Sequence, residues 1–256
     1  MDSIDVSIIT AALNPGDALE TCIESVARQQ GLTFEHIVID GGSTDGSVDL
    51  LKGSEYSHLR WISETDSGIA DAMNKGAAMG TGRWLYFLQA DDALLDSSTL
   101  SGLVKEGDKH ATGLVAAGIQ LGDKPFLNVA SGQVKPGWPL TARFKQAFRH
   151  QGLLISRKAW EAVGPYSLNF RITMDFDWML RAYLQGITSV QVGRELALVS
   201  DEGLSSAVSG KLFRQRLEEE QFARMANADS GCWRFIYRVF WAAYRPYRIS
   251  RTRMSS

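Results

Sequence analysis

The first half of the chain alternates short apolar runs with segments of helical periodicity. Bulky and β-branched residues predominate at positions 6–10, 34–39, 59–62 and 84–88, and each run is too short for a typical helix. Helical spacing follows the first run, and similar segments lie near residues 47–51 and 69–77; the first segment contains Leu19, Cys22, Ile23 and Val26. Strands that alternate with short helices predict an α/β fold with a mostly parallel sheet flanked by helices.

The second half predicts a less regular arrangement. Residues 113–121 and 126–130 indicate two further strands, with a hairpin as one arrangement, and residues 131–141 are rich in Gly and Pro and indicate a loop. Asp175 and Asp177 begin a predicted helix whose apolar stripe includes Trp178, Leu180 and Leu184.

The C-terminal region has a different character. Residues 211–228 are charged and helical in pattern, and beyond Gly231 a second helix is predicted that Pro246 should end. Its apolar stripe consists of Trp233, Ile236, Tyr237, Phe240, Trp241 and Tyr244. Six arginines accompany the stripe, and no acidic residue follows Asp229. The helix either docks on the rest of the protein or lies on an anionic membrane surface, and the arginines favour the membrane.

Composition limits the class of protein. The 256 residues are 45% hydrophobic and 22% charged, as expected for a soluble protein with one large α/β domain (residues 1–208) and a helical extension (residues 209–256). A net charge of −2 argues against general nucleic-acid binding. Cys22 and Cys232 have no metal-type spacing, and neither a signal peptide nor a run of about 18 apolar residues is found, so we expect a cytoplasmic protein that does not span a membrane.

Polar side chains follow the predicted strands. Asp91 and Asp92 come directly after the run at residues 84–88, and the other strand ends carry Thr10, Asn14, Asp40 and Asp66. Ligands of open α/β sheets bind beyond the carboxyl ends of the strands. Two adjacent carboxylates there repel each other unless a cation joins them to another anion, and a divalent ion that bridges to a diphosphate satisfies this requirement. Alternatively, Asp92 caps the next helix and Asp91 is solvated.

Two nucleotide-binding motifs are absent from the expected places. A dinucleotide fold requires G-x-G-x-x-G after its first strand, where residues 11–16 do not match it. A phosphate-binding P-loop requires a lysine that residues 41–46 lack. Because carboxylates outnumber cations at the strand ends, a diphosphate bound there would need a metal ion.

Four segments in order resemble a known family. Residues 6–10 with Asn14, and residues 37–46, resemble the opening of family 2 glycosyltransferases with the GT-A (Rossmann-like) fold. Residues 63–76 and 87–92 are similar to a bacterial branch that assembles exopolysaccharide or O-antigen repeat units. The resemblance covers about residues 4–200.

The resemblance implies a donor site at the strand ends. Thr10 and Asp40 would meet the nucleoside, and Asn14 would belong to the same binding site. Asp66 would lie near the base or ribose unless it only caps a helix. Lys75 would face the donor phosphates, although a solvated helix lysine is the default interpretation.

The resemblance also implies a metal site. Gln89, Ala90 and Asp91 take the place of the family's D-x-D motif, which makes Asp91 the expected metal ligand, with Asp92 assisting directly or through water. His150 would contact the metal or the phosphates, or else be a structural, hydrogen-bonded histidine.

The family's Glu-Asp-x-Asp pattern falls at residues 174–177. Met174 replaces the glutamate, Asp175 keeps the position of the general base, and Asp177 would pair with Arg181 four residues later. Asp177 would therefore hold structure while Asp175 accepts the acceptor's proton.

The implied function is inverting transfer of a sugar. The favoured donor is a UDP-sugar, the acceptor is a glycan or polyprenyl-linked saccharide, and the cofactor is Mn²⁺ or Mg²⁺. The expected location is the inner face of the cell membrane. The alternatives are a GT-A-like nucleotidyltransferase and a non-catalytic nucleotide-sugar-binding protein, the latter suggested by Gln89 and Met174.

Overall fold

The computed structural model describes residues 3–122, 124–200 and 210–253, with side chains to residue 250. In the first half each apolar run forms a strand, and helices separate the strands as predicted. These elements are β1 (Val6–Ala12), α1 (Ala18–Ala27), β2 (Phe34–Asp40), α2 (Ser47–Gly53), β3 (Leu59–Ser63), α3 (Ile69–Met79) and β4 (Trp84–Gln89).

The second half contains shorter strands and longer helices. They are β5 (Ala93–Leu94), α4 (Thr99–His110), β6 (Leu114–Leu121), β7 (Lys124–Phe126), β8 (Val134–Pro136), a 3₁₀ helix (His150–Gly152), β9 (Leu153–Ser156), α5 (Arg157–Val163), α6 (Met174–Leu184), β10 (Ser189–Val199), α7 (Gly210–Ala226) and α8 (Gly231–Arg253). β6 and β7 pair antiparallel, which confirms the hairpin, but β7 covers residues 124–126 and not the predicted 126–130. The segment predicted as a loop contains β8, and β10 was not predicted.

Within the described residues, ten strands form one sheet. Eight of them lie in the order β3-β2-β1-β4-β9-β6-β10-β5, while β7 pairs with β6 and β8 with β10. The pairs from β3 to β4 are parallel. β9 is antiparallel to both β4 and β6, so the sheet is mixed beyond β4. The architecture is therefore the predicted α/β fold, and its parallel part carries the ends of β1 to β4 along one edge.

The sheet is covered on both faces. Side chains alternate along β1, so Ile8 packs in a cluster with residues of α1 and α4, while Ile9 packs with residues of α3 and α6. Because both faces are covered, every residue of β1 is buried, including the polar Ser7 and Thr10.

The stripe of α8 packs on the protein. Tyr237 and Trp241 are buried, and the ring of Phe144 lies 5.2 Å from that of Phe240 and 6.1 Å from that of Tyr237. Trp241 also packs with Phe213 of α7. The stripe predicted to lie on a membrane is therefore an internal contact, because α7 and the segment around Phe144 supply the apolar surface that it covers.

α8 continues past Pro246, contrary to the prediction that it ends there. Proline lacks the N–H that would bond to the preceding turn. Two contacts support the helix beyond it: Arg248 donates to the hydroxyl of Tyr244 at 2.7 Å within α8, and Ile249 packs against the α7–α8 cluster. No described helix combines the length and apolarity needed to cross a bilayer. The predicted boundary between residues 208 and 209 falls in residues 201–209, outside the described residues.

Candidate active site

Three elements converge beyond the end of β4. Asp91 and Asp92 follow this strand directly, and the antiparallel pairing of β4 with β9 places the 3₁₀ helix beside it. The hydroxyl of Tyr86 donates to the carbonyl of Gln151 at 2.7 Å and fixes this approach. The first turn of α6 brings Asp175 to the same place, where its Oδ2 lies 3.3 Å from Nδ1 of His150.

Asp92 is a buried carboxylate with an unsatisfied oxygen. Asp92 is only 3% exposed. Its Oδ1 accepts the N–H of Ser200 at 3.0 Å, whereas its Oδ2 has no hydrogen-bond partner among the described residues. Burial and the neighbouring charge of Asp91 raise the pKa of Asp92 to about 6. The next helix, α4, has Ser98 at its N-cap. Asp92 therefore does not cap that helix, while Asp91 is exposed beside it.

His150 connects the two carboxylate groups. Its side chain is 16% exposed, Nδ1 faces Asp175, and Nε2 is buried without a partner in the described part of the chain. A positive charge on His150 would also lower the pKa of Asp92, so the ring is electrostatically coupled to both acids. An unpaired buried polar atom is costly unless a ligand, water or cation satisfies it.

The unsatisfied atoms fit a divalent cation. Carboxylate oxygen and imidazole nitrogen are suitable ligands for Mn²⁺ or a similar ion, and the sites offered are Oδ2 of Asp92, Nε2 of His150 and the exposed carboxylate of Asp91. The described residues contain no ready-made group of three His, Cys, Asp or Glu side chains for a metal. A cation held here would also need ligands that do not belong to the protein. The oxygen atoms of a diphosphate are suitable ligands of this kind.

Asp175 is held as a carboxylate. Nε2 of Gln146 donates to Oδ2 at 2.5 Å, and the N–H of Phe176 donates to Oδ1 at 2.7 Å. Burial opposes ionisation, but the hydrogen bond and charge of His150 and the N–H of Phe176 outweigh it, so the pKa of Asp175 lies below its usual value. Asp175 is therefore ionised at neutral pH, as a general base must be.

α7 fixes the segment that leads into α6. The carboxylate of Glu219 accepts the backbone N–H groups of three consecutive residues at 2.9–3.2 Å, and it also accepts the hydroxyl of Thr173. These residues are Arg171, Ile172 and Thr173. The carboxylate of Glu219 thus fixes the position of the residues before α6. It thereby also fixes the first turn of α6, which carries Asp175.

Asp177 has the structural role that the sequence predicts. Its Oδ2 accepts Nε of Arg181 at 2.9 Å, which confirms the pair at four-residue spacing. Its Oδ1 accepts Nδ2 of Asn227 at 2.8 Å, which links α6 to the end of α7. Asp177 is 3% exposed, and both of its oxygens are engaged.

Asp40 and Asp66 lie together at the ends of β2 and β3. Asp40 accepts hydrogen bonds from the side chains of Ser43 and Ser63 and from nearby backbone N–H groups. Burial raises its pKa, yet these donors outweigh burial and lower it overall. Asp66 packs over Gly41, where an added Cβ would stand 2.9 Å from Oδ2 of Asp66.

The structure places the remaining donor-site candidates differently. Thr10 is fully buried, and its hydroxyl lies 2.9 Å from Nε2 of His36. The side chain of Thr10 therefore offers no exposed surface to a nucleoside in this structure, because Cys22 of α1 lies against the same face of β1. Asn14 is exposed, adopts a φ of 48°, and accepts the N–H of Thr44 at 2.8 Å, so it joins two loops at this edge.

Lys75 is held by carboxylates. Its Nζ lies 2.7 Å from Oε1 of Glu64 and 3.4 Å from Oδ2 of Asp71. The amino group predicted to face donor phosphates therefore pairs with Asp71 of α3 and with Glu64, which precedes that helix.

Gln146, Glu219 and Asn227 were not predicted. Gln146 lies in a segment without periodicity, Glu219 is one of three consecutive glutamates, and Asn227 follows the last residue of α7. Each acts on α6 across 29 or more residues of sequence, so no local signal identifies it.

The chain is similar to known proteins in sequence. The profile of Glycosyl transferase family 2 matches residues 7–169. A "PGL/p-HBAD biosynthesis glycosyltransferase" of Mycobacterium tuberculosis is 30% identical over 217 residues, which cover 82% of this chain and 83% of that protein.

Two solved structures have a similar fold. TarS 1-349 of S. aureus in complex with UDP-GlcNAc matches with a TM-score of 0.68 and 13% identity, covering 89% of this chain and 68% of that one. The mannosyltransferase PcManGT of Pyrobaculum calidifontis, in complex with GDP-Man and Mn²⁺, matches with a TM-score of 0.68 and 15% identity, covering 99% and 74%.

Proposed function

The chain belongs to glycosyl transferase family 2, and on this basis we propose that it moves a sugar, with inversion, from a nucleoside-diphosphate donor to a hydroxyl group of a saccharide acceptor. The observation that carries the proposal is the convergence of Asp92, His150 and Asp175: two unsatisfied buried atoms suited to a cation stand beside an ionised carboxylate suited to a base. We propose a UDP-sugar as the donor; the structural neighbours include complexes with UDP-GlcNAc and with GDP-Man, which support a nucleoside-diphosphate sugar in general.

The donor would lie along the edge where β1 to β4 end. Asp40, Asp66 and the loop of Asn14 would border the nucleoside, and Asp91, Asp92 and His150 would hold a divalent cation. Such a cation, when bound, neutralises negative charge on the leaving diphosphate. The side chain of Thr10 is buried, so it would not border the nucleoside in this arrangement. Lys75 pairs with Glu64 and Asp71 and would have a third N–H for a phosphate.

Asp175 would remove the proton from the acceptor hydroxyl. Its carboxylate is ionised and is oriented by Gln146 and His150, so it presents a fixed acceptor for that proton. Attack by the hydroxyl on the face of the sugar opposite the diphosphate gives inversion at the anomeric carbon. The absence of a glutamate at Met174 leaves this arrangement intact, because none of the contacts of Asp175 involves that side chain.

The acceptor would be a precursor of a bacterial surface polysaccharide. A polyprenyl-linked saccharide would place the reaction at the inner face of the cell membrane. The exposed face of α8 suits this location: Phe235 and Val239 are 67% and 55% exposed one turn apart, and Arg234 and Arg238 are exposed beside them. Exposed apolar groups flanked by arginines complement anionic lipids.

The proposal is tested by thermal shift with UDP, GDP, dTDP and CMP, each with Mn²⁺, Mg²⁺ or a chelator. A ligand at 100 times its Kd should stabilise the protein by about 2.7 kcal/mol. We expect stabilisation by UDP that disappears with the chelator. Equal stabilisation with and without the chelator would contradict the cation site, and no response to any nucleotide would contradict the donor site.

A further inference from the structure

A basic pocket lies next to the candidate base. Its volume is about 400 Å³, and it is enclosed by residues 126–128, residues 144–149, α7 and α8. Four cationic side chains line it, together with one carboxylate, Glu220; the cations are Lys145, Arg149, Arg216 and Arg248. We call this the basic pocket.

The positive charge of the basic pocket is in excess. Glu220 is 8% exposed and pairs with Arg216 at 3.2 Å and with the buried Arg224 at 3.5 Å, so its charge is already offset. Among the described residues, no carboxylate lies within 4.0 Å of Lys145, Arg149 or Arg248. Cations gathered in a partly enclosed space attract an anion of matching charge.

Aromatic rings hold two of these guanidinium groups. Arg149 stacks over Phe126 with 5.2 Å between the guanidinium carbon and the ring centre. Arg248 donates to the hydroxyl of Tyr244 at 2.7 Å and lies 5.5 Å from its ring. Guanidinium groups held in this way bind phosphate oxygens with less loss of side-chain freedom.

The basic pocket is connected to Asp175 by one side chain. Gln146 lines the pocket and donates to the carboxylate of Asp175 at 2.5 Å, and Arg149 directly precedes His150. When an acceptor places a hydroxyl group at Asp175, other groups of the same acceptor molecule can therefore reach the basic pocket.

We propose that the basic pocket binds a phosphate or diphosphate group of the acceptor. The inference rests on the proposed function, because it takes Asp175 as the base that faces the acceptor. Two sources supply this chemistry: the diphosphate of a polyprenyl-linked saccharide, and a phosphate within the glycan. A cavity lined by four cations and one paired carboxylate favours a charged acceptor over a neutral sugar chain.

The first test measures binding of inorganic pyrophosphate to the full chain by calorimetry in the presence of a chelator, which keeps metal-bound pyrophosphate out of the donor site. The variant is Arg149→Gln/Arg248→Gln, and the matched control is Arg28→Gln on α1, whose side chain is 63% exposed. Loss of charge-assisted bonds should weaken pyrophosphate binding at least about tenfold in the double variant and leave the control unchanged.

Lys145→Gln is a second, milder variant, because the exposed Lys145 side chain makes no hydrogen bond with the described residues. It should weaken binding in the same direction without a change in melting temperature. Equal affinity of the wild type and the double variant, or no binding by the folded wild type, would overturn the inference.

The second test separates the basic pocket from the donor site. UDP with Mn²⁺ should bind the double variant with its wild-type affinity. If the affinity for UDP falls as much as that for pyrophosphate, the pocket serves the donor and the inference fails, while the proposed function stands. If no nucleotide binds the wild type, the proposed function fails irrespective of the pyrophosphate result.

The third test identifies the source of the phosphate. Turnover is compared for a short-chain prenyl-diphosphate saccharide, a soluble glycan with a phosphate group and a neutral glycan. We expect the double variant to raise KM about tenfold for whichever phosphate-bearing acceptor is used, with kcat retained. Efficient use of the neutral glycan, with a KM that the double variant does not change, would overturn the inference.

Discussion

Nδ1 of His150 lies 3.3 Å from Oδ2 of Asp175, and a charge on the same ring acts on Asp92. The imidazole therefore contacts the carboxylate proposed as base, and a positive charge on it would lower the pKa of the carboxylate proposed to hold a cation. The pKa of Asp175 is lowered, whereas burial and Asp91 raise that of Asp92 to about 6. Two acids in one site with pKa values moved in opposite directions are suited to different roles.

Asp175→Asn should abolish most sugar transfer. Removing a general base typically lowers kcat by about 10²–10⁴-fold. UDP affinity with Mn²⁺ should remain, because the proposed donor contacts lie at the strand ends. Single-turnover kinetics and calorimetry measure the two effects, and near-normal turnover of the variant would rule out Asp175 as the base.

Asp91→Asn should remove metal-dependent nucleotide binding. Asp91 is exposed beside the unsatisfied Oδ2 of Asp92, so its charge is available to an incoming cation. The thermal stabilisation by UDP with Mn²⁺ should fall to the level seen with a chelator. Asp96→Asn is a suitable control, since Asp96 is an exposed carboxylate bonded to Ser98. Unchanged stabilisation in Asp91→Asn would exclude it as a ligand.

Asp92 should make the metal-free protein less stable as the pH rises. Its pKa is about 6 in the folded protein, against 3.8 as the ordinary value. Between pH about 4 and 6 the unfolded chain loses this proton while the folded chain keeps it, so this group's contribution to stability falls over that window. Between pH 4 and pH 7, the free energy of unfolding of Asp92→Asn should therefore rise on the order of 2–3 kcal/mol relative to that of the wild type.

This effect is measured by denaturant unfolding with a chelator at both pH values. The comparison between the two pH values cancels any pH-independent effect of the substitution. A difference between the variant and wild type that stays constant from pH 4 to pH 7 would show that Asp92 ionises normally.

Glu219→Ala should shift Asp175, the proposed base, although Glu219 makes no contact with Asp175 itself. The change leaves three backbone N–H groups ahead of α6 without their acceptor and should cost about 1–3 kcal/mol of stability. We expect a lower kcat and an unchanged Kd for UDP. The matched control is Glu218→Ala, whose side chain is 63% exposed and 3.4 Å from Arg245. A kcat that falls equally in both variants would contradict the positioning role of Glu219.

Phe235→Ser/Val239→Ser should weaken binding to anionic liposomes. Both side chains are exposed on α8, so the change removes apolar contact area without opening the interior. Sedimentation with anionic vesicles measures the effect, and neutral vesicles should bind the wild type weakly. Leu168→Ser, at a residue 60% exposed outside α8, is the control. Wild-type sedimentation of the double variant would exclude this face as the membrane contact.

The sequence predicted the parallel half of the sheet and the acids at its edge. Residues 84–88 are apolar without interruption because both faces of β4 are covered, and a short run of this kind predicts a buried strand. Residues 6–10 are mostly β-branched and are all buried for the same reason. The pair of Asp177 and Arg181 was equally accessible, because four residues in a helix bring two side chains together wherever the helix packs.

The sequence did not determine which surfaces meet. Periodicity shows that one face of α8 is apolar, but such a face can be buried either in a membrane or against another part of the protein. The structure shows Tyr237 and Trp241 buried against the protein. The sequence places Thr10 near the end of a strand, where an exposed side chain is expected. In the structure α1 covers Thr10, and its hydroxyl is hydrogen-bonded to His36.

By itself, the sequence determined the order of the elements and the kind of chemistry at the strand ends, because strand length, helical spacing and adjacent carboxylates are local properties. Only the tertiary structure decided the partners: His150 beside Asp175, Glu219 at the start of α6, and four cations around one pocket. These contacts join residues far apart in sequence, and their formation depends on how helices and strands pack in three dimensions, which no local pattern encodes.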